Sequence, residues 1–233
     1  MEQTTEVLRY AAFTTTPDGG NPAGVVLDAT RLNDARMQAI AADIGYAETV
    51  FVTETTVDGD SRRNRVRYFS PIAEVPFCGH ATIALAVALS ARDGAGTFIF
   101  DTPVGPVVIE TAGQGAAVTA SFTSVEPRVA EFPDGVLTTL LGLLGVDRGE
   151  LHPAYPPMIA FAGNWHPILV FAERRTFDSF VFDPDPMRTL MDAQNWAGTV
   201  TTLYEIGPGE FDSRNLFPVG TITEDPATGS AAA

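Results

Sequence analysis

Lysine is missing altogether. All 14 basic residues of the 233-residue chain are arginines. With no side-chain amine, a Schiff base cannot form, which excludes pyridoxal-phosphate chemistry, lysine aldolases and a Walker-type phosphate loop. Cysteine is almost as scarce: Cys78 stands alone, so an intrachain disulfide and any mechanism using two thiols of one chain are excluded. Positive charge is scarce too, with 14 basic against 29 acidic residues and a net charge of -15. Such a chain repels a phosphate backbone, and nucleic acid is not an expected partner. The one dense basic run, "RRNRVR" at Arg62 to Arg67, leads into an alternating stretch and is expected to be a solvated hairpin edge.

Long apolar runs are absent as well. The longest, around Ala81 to Ala91 and Val136 to Val146, are too short to span a bilayer, and the N-terminus lacks a basic-then-apolar signal pattern. No membrane partner and a reduced, cytoplasmic location are expected. What remains is a globular composition, 45% apolar and 18% charged, long enough for one large domain or two ordinary ones.

Along the chain, "VLRYAAFTT" and "VVLDA" read as strands around the turn "PDGGNPAG". "LNDARMQAIAADIG" is a helix: Asn33 or Asp34 can cap it, Met37, Ile40, Ala41 and Ile44 form a stripe, and Gly45 suits its stop. "AETVFVTE" is a strand with Glu48 at its entry, and "RVRYFS" another, broken at Pro71. "HATIALAVALSA" is apolar nearly all round, the mark of a helix buried at a domain centre. A hairpin, "GTFIFDTPVGPVVIET", and the strand "AVTASFTS" follow. After the linker "VEPRVAEFPDG" come a short helix "VLTTLLGLLG", the strand "HPILVFAE", the helix "DPMRTLMDAQN" and the strand "TVTTLYEI". Strands outnumber helices without strict alternation, which predicts mixed α+β sheets and not a doubly wound parallel fold.

The halves repeat each other. "GNPAGVVL" at Gly20 matches "GNWHPILVF" at Gly163, a shift of 143 (163 − 20). "EVPFCGHA" at Glu74 matches "EDPATGSA" at Glu224, a shift of 150 (224 − 74). Two ordered matches at nearly one shift point to an internal duplication, with domains expected over 1–125 and 126–233. The second match sets Cys78 opposite Thr228 and His80 opposite Ser230.

Both phrases put glycine and a small or polar residue ahead of a helix. Free backbone N–H groups there suit an anion, and Gly79, Gly229 and Ser230 are the candidates to bind a small carboxylate-bearing substrate. Each glycine could equally be a plain cap. His80 lies where the dipole favours a neutral imidazole, and Asp225 could be catalytic or a cap. Cys78 reads as a small core residue more readily than as a nucleophile. His152 and His166 share no ligand spacing with His80 or Cys78, so no metal site is expected.

Four ordered motifs, "GNPAGVV", "AETVFV", "FSPIAEVPFCGHAT" and "EDPATGSA", together resemble the PhzF family of phenazine-biosynthesis isomerase-like proteins. The resemblance implies a fold like that of diaminopimelate epimerase: two pseudo-symmetric domains, each a mostly antiparallel sheet around a central helix. It implies Glu48 as general acid/base, His80 and Asp225 as the polar pair assisting proton transfer, and Gly79 and Ser230 as substrate contacts. The reaction implied is a proton moved within a small cyclic acid, with neither cofactor nor metal, by a homodimer. A two-thiol racemase like diaminopimelate epimerase is disfavoured, since Thr228 stands where the second thiol is needed. A binding or interaction protein that keeps the fold without turnover is the alternative. The family pattern also runs past "TGSAAA", so the second domain is expected to be truncated at its central helix and the sequence incomplete.

Overall fold

The computed structural model describes residues 5–16, 18–219 and 222–232. The chain divides into two compact units, Met1–Thr123 and Ser124–Ala233.

In the first unit, β1 (Leu8–Ala12) and β2 (Asn21–Val26) form an antiparallel pair. Helix α1 (Asp34–Ile44) follows, with the Asn33 side chain accepting from the Arg36 amide at its start and Gly45, at φ 70°, ending it in the left-handed conformation. This helix is a crossover, so β3 (Glu48–Thr55) lies parallel to β2. Strand β4 (Arg63–Phe69) returns antiparallel to β3, and the two-residue β5 (Glu74–Val75) pairs with its end. Helix α2 (Gly79–Asp93) is the second crossover, bringing β6 (Thr97–Thr102) parallel to the start of β4. The hairpin partner β7 (Gly105–Ala112) and then β8 (Thr119–Phe122) complete the sheet.

Helix α2 contacts β1, β2 and β3 on one side and β7 and β8 on the other, so the sheet curls around it. Ala81, Ala84, Leu85, Ala86, Ala88 and Leu89 are buried against Val25, Val50, Val52, Tyr68, Phe98, Phe100 and Ile109. That explains a helix with no polar face. Truncating Leu85 to Ala would cost about 2–5 kcal/mol, the transfer term plus the cavity. The opposite face of β2–β4 carries Val26, Phe51 and Phe69, which α1 covers with Met37, Ile40 and Ala41.

The arginine run is not an edge. Strand β4 lies between β3 and β6, and its charges are matched by neighbours. Arg63 pairs with Asp58 and Asp101, Arg65 with Glu54, and Arg67 with Asp34 and Glu74. Arg62 donates to the carbonyls of Asp93 and Gly94 at the end of α2.

In the second unit the sheet runs β14-β13-β12-β11-β10-β9. Its strands are β9 (Arg128–Ala130), β10 (Met158–Phe161), β11 (Trp165–Phe171), β12 (Val200–Gly207), β13 (Glu210–Val219) and β14 (Ile222–Asp225). Only β11 and β12 pair in parallel among these described strands. Helices α3 (Val136–Leu144), α4 (Arg174–Ser179) and α5 (Pro184–Ala193) supply Leu140, Leu141, Phe177, Met187 and Met191 to a core with Leu169, Phe171, Val200 and Leu216. Helix α6 (Gly229–Ala232) follows β14 as α2 follows β5.

The pairing registers allow the two sheets to be overlaid. In the first, Val25 pairs with Val50, Val50 with Tyr68 and Phe69 with Glu74. In the second, Ile168 pairs with Thr201, Thr201 with Asn215 and Leu216 with Glu224. A single alignment satisfies all three pairings and keeps the shift of 143 at Val25 and Ile168 (168 − 25). Two pseudo-symmetric α+β units result, and the overlay sets Glu48 against Thr199, two residues before Val50 and Thr201.

Candidate active site

In the first unit the chemistry-bearing residues come from three neighbouring elements. Asn21 opens β2, Glu48 opens β3, and Cys78 is the N-cap of α2, leaving His80 as its second residue. Parallel pairing of β2 with β3 sets Ala23 beside Glu48. Asn21, Glu48, Cys78 and His80 are all buried, none above 7% exposed.

His80 is the hub. Its Nε2 lies 3.5 Å from Glu48 Oε2. Its Nδ1 lies 3.2 Å from Asn21 Nδ2 and 3.2 Å from Cys78 Sγ. Burial lowers its pKa to about 4, against a smaller opposing effect of a hydrogen bond to the Pro22 backbone. The sequence led to the right direction by way of the helix dipole, whereas the largest cause is desolvation. At neutral pH the ring therefore carries one N–H and one lone pair, so it can donate a hydrogen bond to the Glu48 carboxylate or accept one from its protonated form.

The helix start is anchored from below. Thr82 Oγ1 donates to the Cys78 carbonyl at 2.7 Å, so Tyr68 supplies the hydrogen in its 2.8 Å contact with Thr82 Oγ1. Gly79 does not have a positive φ, and a Cβ there would meet only Phe122 Cζ, at 3.5 Å. The fold of this unit does not itself demand glycine at that position.

Glu48, Cys78 and His80 each offer one metal-ligand atom, and these atoms all lie within 4.8 Å of one another. The set of carboxylate, thiolate and imidazole suits a borderline ion such as zinc. An ion bound there would occupy the lone pairs that proton transfer needs.

The second unit holds a buried polar chain of its own. His166 of β11 is fully buried, and Thr199, Thr201, Asn215 and Asp225 are at most 6% exposed. His166 Nε2 lies 2.9 Å from Ser230 Oγ, and the Thr199 amide donates to Nδ1 at 3.0 Å. Thr199 Oγ1 meets Thr201 Oγ1 at 2.9 Å, and Thr201 donates to Asn215 Oδ1 at 3.1 Å. Asn215 Nδ2 donates to the Asp225 carbonyl at 3.3 Å, and Thr228 Oγ1 donates to the Asp225 carboxylate. Burial again lowers the pKa of His166 to about 4, opposed by the Thr199 backbone.

Glu48 and His80 thus meet in one unit, with Gly79 between His80 and the cap. Asp225 and Ser230 belong to a continuous polar chain in the other, with Gly229 beginning α6. Sequence reasoning missed Asn21, His166, Thr199, Thr201 and Asn215. It weighed His166 only as a metal ligand. The available signal was the match of "GNPAGVV" with "GNWHPIL", which carries His166 onto the strand that abuts Glu48 in the first unit.

Comparison with known proteins is consistent over nearly all of the chain. A family model described as phenazine biosynthesis-like protein, PhzC-PhzF, matches residues 10–233. An uncharacterized isomerase of Deinococcus radiodurans is 34% identical, the alignment covering 97% of this chain and 73% of the relative. Trans-2,3-dihydro-3-hydroxyanthranilate isomerase of Pseudomonas fluorescens is 30% identical, covering 95% of this chain and 74% of the relative. The crystal structure of a PhzF-family phenazine biosynthesis protein from Bacillus anthracis superposes with a TM-score of 0.79 at 26% identity, covering 97% of this chain and 76% of that one. Two repeats of one topology, a buried carboxylate–imidazole pair and these likenesses agree: the chain belongs to the PhzC-PhzF family of phenazine biosynthesis-like proteins, whose matched relatives are named isomerases.

Proposed function

We propose that the protein is a cofactor-independent isomerase that moves a proton within a small, carboxylate-bearing substrate, with Glu48 as the proton carrier. The observation that carries this reading is the buried Glu48–His80 pair, Nε2 to Oε2 3.5 Å, with the imidazole held neutral. The Glu48 carboxylate takes a proton from an acidic C–H, and the electron pair left behind spreads into the conjugated system. Glu48 then returns the proton to a second carbon of the same system. One proton leaves and one returns, so no electrons are exchanged and the chemistry asks for no redox carrier. His80 holds the Glu48 oxygen in place between the two steps.

The Pseudomonas fluorescens relative is named for trans-2,3-dihydro-3-hydroxyanthranilate, a cyclic acid of the kind this chemistry needs, and that compound is the first candidate substrate. Asp225, Gly229 and Ser230 are its proposed polar contacts in the second unit. No helix among the described residues is long and apolar enough to cross a membrane.

The test is NMR of this acid and related cyclic acids incubated with the protein in D₂O. Deuterium entering one substrate with wild type and not with Glu48→Gln supports the reading. Equal exchange with both proteins overturns it. A stable complex with a protein partner and no exchange with any acid would favour the binding-protein alternative.

A further inference from the structure

The hydrogen-bond chain of the second unit has a direction, and two main-chain groups set it. At one end the Asp225 carbonyl can only accept, so the Asn215 amide turns its Nδ2 toward it and its Oδ1 toward Thr201. Thr201 must donate to that oxygen, so the hydrogen between Thr199 and Thr201 comes from Thr199. At the other end the Thr199 amide can only donate, and it points at His166 Nδ1 from 3.0 Å. The Thr199 carbonyl and hydroxyl also lie near Nδ1, at 3.2 and 3.1 Å. The amide makes the shortest of the three contacts. The lone pair therefore belongs on Nδ1 and the ring proton on Nε2, which donates to Ser230 Oγ at 2.9 Å.

The consequence falls on Ser230. A hydroxyl that accepts from an imidazole N–H keeps its own hydrogen for another acceptor. We propose that His166 is a positioning residue that fixes Ser230 as a hydrogen-bond donor to the substrate's carboxylate. The proposal rests on the isomerase reading for its substrate class, but the orientation of Ser230 follows from this unit alone. The register overlay adds an independent reason. In the first unit His80, on the central helix, faces Glu48; in the second, Ser230 takes the place of His80 and Thr199 that of Glu48. An imidazole fills the same gap, now borne by β11 and bonded to both residues. Its space is reserved: a Cβ on Gly198 would lie 2.4 Å from His166 Cε1.

Two measurements test this. Long-range ¹H–¹⁵N NMR of the histidine rings needs no ligand. It should show His166 protonated on Nε2 and not on Nδ1 at neutral pH, with the Nε2 signal moving in Ser230→Ala. The opposite tautomer, or an Nε2 signal blind to Ser230→Ala, overturns the proposal.

The second is a double-mutant cycle on binding of anthranilate, an unreactive aromatic amino acid, by NMR titration. His166→Leu should weaken binding about five- to tenfold, the scale of one hydrogen bond, and Ser230→Ala by a similar factor. The double variant should lose no more than either alone. His166→Gln, which keeps an N–H near the Nε2 position, should restore most of the loss. Independent, multiplying losses would mean that His166 merely supports the fold, and would overturn the proposal. The isomerase reading fails separately, if Glu48→Gln leaves exchange unchanged or if wild type binds no acid. In the latter case the tautomer measurement still decides the orientation of Ser230.

Discussion

Glu48 and Thr199 hold one register position in two copies of the same sheet, each two residues ahead of the strand residue that pairs with Tyr68 or Asn215. One copy places a carboxylate there and the other a hydroxyl. The two copies share a backbone and differ in chemistry: at this position the first unit offers a titratable group, and the second a hydroxyl.

Glu48→Gln keeps the size of the side chain and removes its titratable group. Turnover should fall by about 10²–10⁴-fold, the usual weight of a general acid/base. The circular dichroism spectrum should be unchanged, and substrate exchange in D₂O is the readout.

Cys78 lies 3.2 Å from His80 Nδ1 but is given no proton to carry. Cys78→Ala should leave turnover within about tenfold of wild type, the scale of one weak hydrogen bond. Complete loss of turnover with an intact fold would restore a thiol mechanism.

Zinc should inhibit, because Glu48, Cys78 and His80 offer it three ligand atoms within 4.8 Å of one another. Added Zn²⁺ should abolish exchange and a chelator should restore it. Cys78→Ala should bind the ion more weakly and resist inhibition, as isothermal calorimetry would show.

Stability should fall on acidification through the two buried histidines. Both have folded pKa values lowered from 6.5 to about 4. Between these values the unfolded chain binds more protons than the folded one, so stability is lost as pH drops below 6.5 and the loss levels off near 4. Urea unfolding at pH 7 and pH 5 should differ by a few kcal/mol, roughly 1.4 kcal/mol per unit per group at most. His166→Gln should flatten part of that slope.

Gly198→Ala would drive a methyl group to 2.4 Å from the His166 ring. The ring is buried and bonded at both nitrogens, so it cannot swing away cheaply. A loss of about 1–3 kcal/mol, typical of overpacking, is expected in denaturant melts.

Helices α1 and α2 were legible because their signals are local: a cap, a stripe and a left-handed glycine for the first, an unbroken apolar surface for the second. Strand β13 was not, since "EFDSRN" opens with polar residues and Pro218 falls inside it. Its partners on both sides are what make it a strand. The interior position of β4 was hidden for a similar reason, as the acids that match its arginines lie up to 38 residues away. Glu48 and His80 were found through motifs, whereas His166 answers to Thr199 and Ser230, 33 and 64 residues distant. No short window records that relation, and only the duplicated register brings it within reach.

The crossover through α2 also governs how the first unit can fold. Strand β6 pairs in parallel with the start of β4, so joining Arg63 to Ile99 closes a loop of 36 residues (99 − 63) that includes the whole helix. Hairpins β3–β4 and β6–β7 can form early, each from nearby chain, but they cannot join until α2 lies between the arms of the sheet. Such non-local closure is slow. Leu85 and Leu89, buried on that helix, are the residues whose truncation should slow refolding, while truncation at Ile109 in the β7 arm should chiefly speed unfolding. The sequence least able to face water is also the one on which assembly of the sheet has to wait.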